Sequence, residues 1–272
     1  MLPMPIPHDY HMHSNFSCDC QATMAEMCQA AVDRGIPEIG FTEHFDLHPG
    51  EADNCRDFRL DGWALEVDRC RSAFAGRLTI RAGIELGEPH IYAAEAEALL
   101  ARYPFDYALG SLHWVGNDSI FDLAFFQAYP AAEAFRMYFE ELERVALTGS
   151  FDILSHLDVP VRTAHAVYGR YDPREHEDSI RPVLRACVER GLALDLNTAA
   201  LRRRAKVLNP GLDILRWYVE MGGERVTLGS DAHRPEQVGA ALDAAMDAAR
   251  AAGLKYLTFY EGRQARLVPI EP

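Results

Sequence analysis

Short apolar or β-branched runs alternate along the chain with amphipathic stretches at helical spacing. That repetition predicts parallel strands joined by crossover helices. Strands are expected near residues 9–13, 38–42, 78–84, 107–112, 152–155, 192–196 and 225–228. A short run at 257–260 is either an eighth strand or a tail. The intervening helices are expected near residues 23–34, 62–74, 90–102, 131–147, 175–190, 211–221 and 235–252. The first is the best marked. Met24, Met27, Cys28, Ala31 and Val32 share a face, Thr23 and Glu26 form a capping box, and Gly35 stops the helix. Ile180, Val183, Leu184, Cys187 and Val188 give a similar stripe in the fifth helix. The last helix carries Pro235 in its first turn and ends at Gly253. Seven βα units without a low-complexity linker predict one α/β domain over residues 1–272, arranged as a TIM-like barrel. Two longer connections, 45–61 and 161–174, are expected to lie over a site.

Charge narrows the partners. The chain has 27 basic and 41 acidic residues, a formal net charge of −14, which disfavours nucleic acid and anionic membrane. No apolar run approaches the roughly 20 residues of a membrane span, and Met1–Pro7 lacks the features of a secretory signal. A cytoplasmic location is expected. Cys18, Cys20, Cys28, Cys55, Cys70 and Cys187 show no disulfide framework and are expected to be small buried hydrophobes or free thiols. The one dense basic run, Arg202, Arg203, Arg204 and Lys206, is either a solvated turn or a local anchor for a small phosphate.

The candidate chemistry lies in where the histidines fall. His11, His13, His44, His113, His156 and His233 stand at or just after predicted strand ends, as do Asp19, Glu85 and Asp231. In a parallel barrel all strand C-termini open on one face. His11 and His13 are two apart, so in a strand both rings point the same way. Each residue has a plain alternative: a chance pair for His11 and His13, a turn for Asp19, a surface salt bridge for Glu85, packed core imidazoles for His113 and His156. Those alternatives are independent of one another, and almost every strand would need one. Mixed imidazole and carboxylate ligands suit zinc, iron or manganese, and nine ligands are too many for one ion. The sixth strand ends in Asp195-Leu196-Asn197-Thr198 instead, with Asn197 a candidate substrate contact. His8, His48, His90, His165 and His176 are taken as surface or local structure; His48 stands apart because it closely follows His44.

In order along the chain, the H-x-H pair, Glu43-His44, Gly83-Ile84-Glu85, Gly110-Ser111-Leu112-His113, Ser155-His156-Leu157-Asp158 and Ser230-Asp231-Ala232-His233 resemble the motifs of the PHP (polymerase and histidinol phosphatase) superfamily. The branch most similar is that of the L-histidinol-phosphate phosphatases. The resemblance implies a distorted (β/α)7 barrel and two or three divalent ions, zinc, manganese or iron. His11, His13, Glu85 and Asp231 would hold the first, Glu85, His113 and His156 the second, and Asp19, His44 and His233 the third. Arg202, and less directly Arg162, would bind phosphate. The implied reaction is hydrolysis of L-histidinol phosphate to L-histidinol and phosphate by a hydroxide bridging the ions. His48 or a metal-bound water would protonate the leaving alcohol, and Glu43, Asp46 or Glu88 would attract the substrate amine. Three other readings stay open. They are the same chemistry on a nucleotide, sugar or cyclic phosphate, a metal-dependent amidohydrolase, and a non-catalytic binding barrel.

Overall fold

The computed structural model describes residues 6–270. In chain order its strands are β1 (Glu38–Phe45), β2 (Thr79–Gly87), β3 (Tyr107–Ser111), β4 (Trp114–Val115), β5 (Asp118–Ser119), β6 (Ile153–Leu154), β7 (Ala193–Asn197), β8 (Val226–Gly229), β9 (Tyr256–Glu261) and β10 (Gln264–Pro269). β1, β2, β3, β6, β7 and β8 form one curled sheet in that spatial order. Every pairing in it is parallel. The segment expected as the first strand bridges the two edges. Asp9 pairs with Ile39 beside β1 and Met12 with Ala232 beyond β8, both in parallel. Its backbone is tied on both sides: Gly40 N–H donates to the Asp9 carbonyl, and Tyr10 N–H to that of Leu228. Isolated bridges rather than a regular ladder make it the irregular seam of a distorted barrel.

Strands buried on both faces need apolar residues on both, and β3 and β7 are buried throughout. Ala108, Leu154 and Leu194 join the main core between sheet and helices. Tyr10, Tyr107, Leu109, Ile153, Ala193 and Tyr260 form a second cluster inside the curl. In register, Glu85 of β2 lies between His44 of β1 and Leu109 of β3. Register partners in a parallel sheet face the same way, so His44 and Glu85 point inward with Leu109. Inside, Tyr107 fills space that Gly83 leaves open; a Cβ at Gly83 would stand 2.8 Å from Tyr107 and from the Thr42 methyl.

Several expectations need correction. The run near 257–260 pairs with Gln264–Pro269 as an antiparallel hairpin and does not extend the barrel sheet. The connection at 161–174 contains a helix, Val161–Tyr168, entered through Pro160. The expected helix 235–252 is broken into a short turn, Pro235–Gln237, and the helix Leu242–Ala252; Gly239 and Ala241 between them have positive φ. The capping box of Thr23 and Glu26 forms as expected. The cysteine reading fails for one pair. Cys18 and Cys55 form a disulfide, which ties the segment before the first helix to the short helix Asp53–Arg56. Thirty-seven residues separate them, so nothing in their spacing marks a pair. Cys20, Cys28, Cys70 and Cys187 are free and buried, as expected.

Gly83→Ala is expected to lower stability by about 1–3 kcal/mol, because the added methyl group overpacks a filled interior. Urea unfolding followed by circular dichroism measures it, and an unchanged midpoint would count against the packing of Tyr107 over Gly83.

Candidate metal centre

Glu85 is fully buried, and imidazoles face both of its oxygens. His44 Nδ1, His11 Nε2 and His13 Nε2 lie 3.2, 3.4 and 3.5 Å from Oε2. His156 Nε2 and His113 Nε2 lie 3.2 and 3.4 Å from Oε1. Ser111 Oγ donates to Oε1 at 2.7 Å and fixes the carboxylate. Asp231 adds a second acid. Its Oδ1 is 3.6 Å from His13 Nε2 and 3.4 Å from His233 Nδ1. Asp231 has φ of 52°, a left-handed conformation that aspartate tolerates better than most residues. At the rim, His233 Nε2 is 2.8 Å and His44 Nε2 3.6 Å from the half-exposed Asp19. The nine expected ligand residues therefore meet at one end of the barrel.

Outer partners orient them. His11 Nδ1 meets Asp195 Oδ2 at 2.8 Å, which turns Nε2 toward Glu85. His13 Nδ1 meets Ser17 Oγ at 3.0 Å, and Ser17 in turn donates to Glu43 at 2.7 Å. Imidazole ligands held in this way present one defined nitrogen.

Electrostatics follow the packing. Burial opposes ionisation of Glu85, but His11 and His44 outweigh it and hold the carboxyl well below its usual range. Burial alone would lower His11, yet Glu85, Asp195 and Asp231 raise it well above an ordinary imidazole. His44 is raised against burial by Glu85, Asp19 and Asp46. His13 goes the other way, lowered by burial and by the neighbouring His233 and His44. Several carboxylates thus need positive charge that protons on some imidazoles, or cations, can supply.

The residues fit a metal. His13 Nε2 and Glu85 Oε2 are buried and have no hydrogen-bond partner. Ligand atoms of His11, His13 and Glu85 lie within 4.8 Å of one another, as do those of Glu85, His113 and His156, and those of His13, His44 and His233. Two donors each about 2.1 Å from a tetrahedral ion are about 3.4 Å apart, which matches the spacings around Glu85. The donor set, imidazole and carboxylate without thiolate, suits zinc, manganese or iron.

A cavity of about 1100 Å³ opens above the cluster, lined by Asp19, His44, Glu85, Phe121, Arg162 and Arg202 among others. Arg162 Nη2 donates to Asp231 Oδ2 at 2.5 Å and to Asn197 Oδ1 at 3.1 Å. Arg202 Nη2 donates to the Ser230 carbonyl at 2.7 Å. Arg162 Nε and Arg202 Nη1 have no partner. Arg204 and Lys206 of the basic run are exposed.

Other candidates lie elsewhere. His48 Nε2 meets the Gly116 carbonyl and its Nδ1 accepts from Gly50 N–H, so backbone takes both nitrogens and the ring stacks on Trp114. The structure therefore does not bring His48 forward as a proton donor. Asn197 is fully buried behind Arg162 and Asp195, where it braces them rather than facing the cavity. Glu43 and Glu88 are also fully buried: Glu43 accepts from Ser14 and Ser17, and Glu88 from the backbone N–H groups of His113 and Trp114. Glu88 Oε2 is left without a partner, but neither acid lines the cavity. His8, expected as surface or local structure, is buried and accepts from Leu228 N–H. Sequence reasoning missed Asp195 as the partner of His11. The available signal was a carboxylate inside an otherwise apolar strand, which must be paired.

Glu85→Ala is expected to abolish zinc retention at the sites on either side of that carboxylate. Elemental analysis after gel filtration measures it, and wild-type zinc content would refute the central role of Glu85.

The chain is 31% identical over 259 residues to a Deinococcus radiodurans protein named "Probable histidinol-phosphatase", covering 92% of this chain and 95% of that one. It is 28% identical to the histidinol-phosphatase of Lactococcus lactis, covering 93% and 94%. It superposes with a TM-score of 0.87 on the crystal structure of histidinol phosphate phosphatase from Lactococcus lactis complexed with zinc, L-histidinol and phosphate. That match covers 97% of this chain and 100% of that one at 24% identity. A putative histidinol phosphatase from Listeria monocytogenes gives a TM-score of 0.75 at 19% identity, covering 87% and 99%. The PHP domain matches residues 9–199, well over half of the sequence, and the chain belongs to the PHP domain family.

Proposed function

We propose that this chain is a metal-dependent phosphomonoesterase that hydrolyses L-histidinol phosphate to L-histidinol and phosphate. The observation that carries the reading is the junction of two features in one cavity. Clustered imidazoles and carboxylates surround Glu85, and the guanidinium residues Arg162 and Arg202 line the same cavity. Curated relatives named histidinol-phosphatase, matched along nearly their whole length, support the substrate. The same reading takes the whole chain, residues 1–272, as one catalytic domain acting on a small-molecule ester.

Three ions are proposed: one held by His11, His13, Glu85 and Asp231, a second by Glu85, His113 and His156, a third by Asp19, His44 and His233. The zinc in the Lactococcus lactis crystal supports zinc as one occupant. Divalent cations there supply Lewis acidity, lowering the pKa of water towards 7 and neutralising phosphoryl charge. The chain's own groups do the rest. Arg162, its plane fixed by Asp231 and Asn197, and Arg202, fixed by the Ser230 carbonyl, offer their remaining N–H groups to phosphoryl oxygens. Asp195 and Ser17 keep the His11 and His13 lone pairs directed inward. Among the described residues no helix is long and apolar enough to cross a membrane.

Stripping metal with chelator is expected to abolish release of phosphate from L-histidinol phosphate, and zinc, manganese or iron to restore it. Activity indifferent to metal would sink the proposal. A panel containing nucleotide, sugar and cyclic phosphates alongside an amide substrate identifies the leaving group; a better rate on any of them would reassign the substrate. Arg202→Ala is expected to raise KM at least about tenfold, the loss of a charge-assisted contact of about 1.5–3 kcal/mol, and unchanged kinetics would remove Arg202 from the phosphate site.

A further inference from the structure

Asp46, the one acid of the three expected near the substrate amine that lines the cavity, is almost wholly buried within the cluster. Its Oδ1 lies 3.3 Å from His113 Nδ1, and its Oδ2 lies 3.1 Å from His44 Nδ1. These imidazoles belong to different proposed sites. His113 Nε2 faces Glu85, whereas His44 Nε2 faces Asp19. One carboxylate therefore stands behind two ligands, each of which points its other nitrogen at a separate site. The fold reserves space for it. A Cβ at Gly87 of β2 would fall 2.0 Å from Asp46 Oδ1, so a side chain there would expel the carboxylate. Glu85 Oε2, at 3.2 Å, is the other acceptor near His44 Nδ1, but that oxygen also faces His11 and His13.

From this geometry we infer that Asp46 is a positioning residue that couples two metal sites: it accepts Nδ1–H from His113 and, once cations are bound, from His44, whose Nδ1 lies 3.1 Å away but has no hydrogen-bond partner here, so that both Nε2 atoms are directed at cations. The inference rests on the metal-centre reading above. A carboxylate suits the task because both of its oxygens accept. An amide offers one acceptor and one donor group, so it can serve one imidazole while presenting N–H to the other. Loss of such an outer partner typically weakens metal affinity about 10–100-fold.

The test compares wild type with Asp46→Asn and Gly87→Ala, the second displacing the carboxylate without removing its charge. Zinc affinity is measured by chelator competition. Histidine tautomers are read from long-range ¹H–¹⁵N spectra of the zinc-loaded protein, and thermal unfolding of the metal-free proteins reports folding. Wild type is expected to show Nδ1–H, Nε2-metallated signals for both His44 and His113. Asp46→Asn is expected to unfold near the wild-type temperature when metal-free, to bind zinc about 10–100-fold more weakly, and to lose that pattern at one of the two histidines. Gly87→Ala should weaken zinc in the same direction. Wild-type affinity and spectra in Asp46→Asn would overturn the inference, as would wild-type spectra with Nδ1 metallated. If Asp46→Asn does not fold, wild-type zinc affinity in Gly87→Ala overturns it. A wild-type protein that binds no zinc, manganese or iron would instead refute the metal centre itself.

Discussion

A buried carboxylate must be compensated, and around Glu85 that requirement organises one end of the molecule. Removing an ionised carboxyl from water costs several kcal/mol unless partners surround it. Glu85 meets the need with imidazoles from the N-terminal segment, from β1, and from the loops after β3 and β6. Each comes from a different stretch of chain, so the charge of one side chain is satisfied only when the barrel has closed. Local contacts alone cannot assemble this arrangement.

Closure depends on the N-terminal segment. It carries His11 and His13, and it is the piece of backbone that joins β1 to the end of β8. Asp231 N–H donates to the His11 carbonyl at 2.6 Å, so the bond that seals the seam also brings the second acid to the site. Asp9 adds a further tie, accepting from the N–H groups of Ser230 and Gly239. Structure and chemistry here share the same residues, and a change in the seam moves ligands.

A layer of polar side chains stands behind the clustered imidazoles and Glu85. Asp195 stands behind His11, Ser17 behind His13, and Ser111 beside Glu85. Glu43 takes hydrogen bonds from Ser14 and Ser17 and faces away from the cavity. Acidic residues that share a sequence neighbourhood therefore divide into two kinds, those that face the clustered imidazoles and those that hold the residues around them. The cavity wall is basic at Arg162 and Arg202 despite the strongly acidic chain.

The sequence by itself determined the order of the βα units and the imidazoles and carboxylates at the strand ends. Both are local: periodicity fixes the element, and a histidine or glutamate just past an apolar run declares itself by position. It could not determine partnership. Asp46 and Glu43 read alike on paper, as do Asn197 and Arg202, because side-chain orientation depends on register between strands distant in sequence. The Cys18–Cys55 bridge and the His48 Nε2 contact with Gly116 were hidden for the same reason, since their partners are 37 and 68 residues away. Tertiary structure decided which polar groups face the cavity and which face each other, because inside a closed barrel each buried polar atom takes the partner that the packing delivers to it.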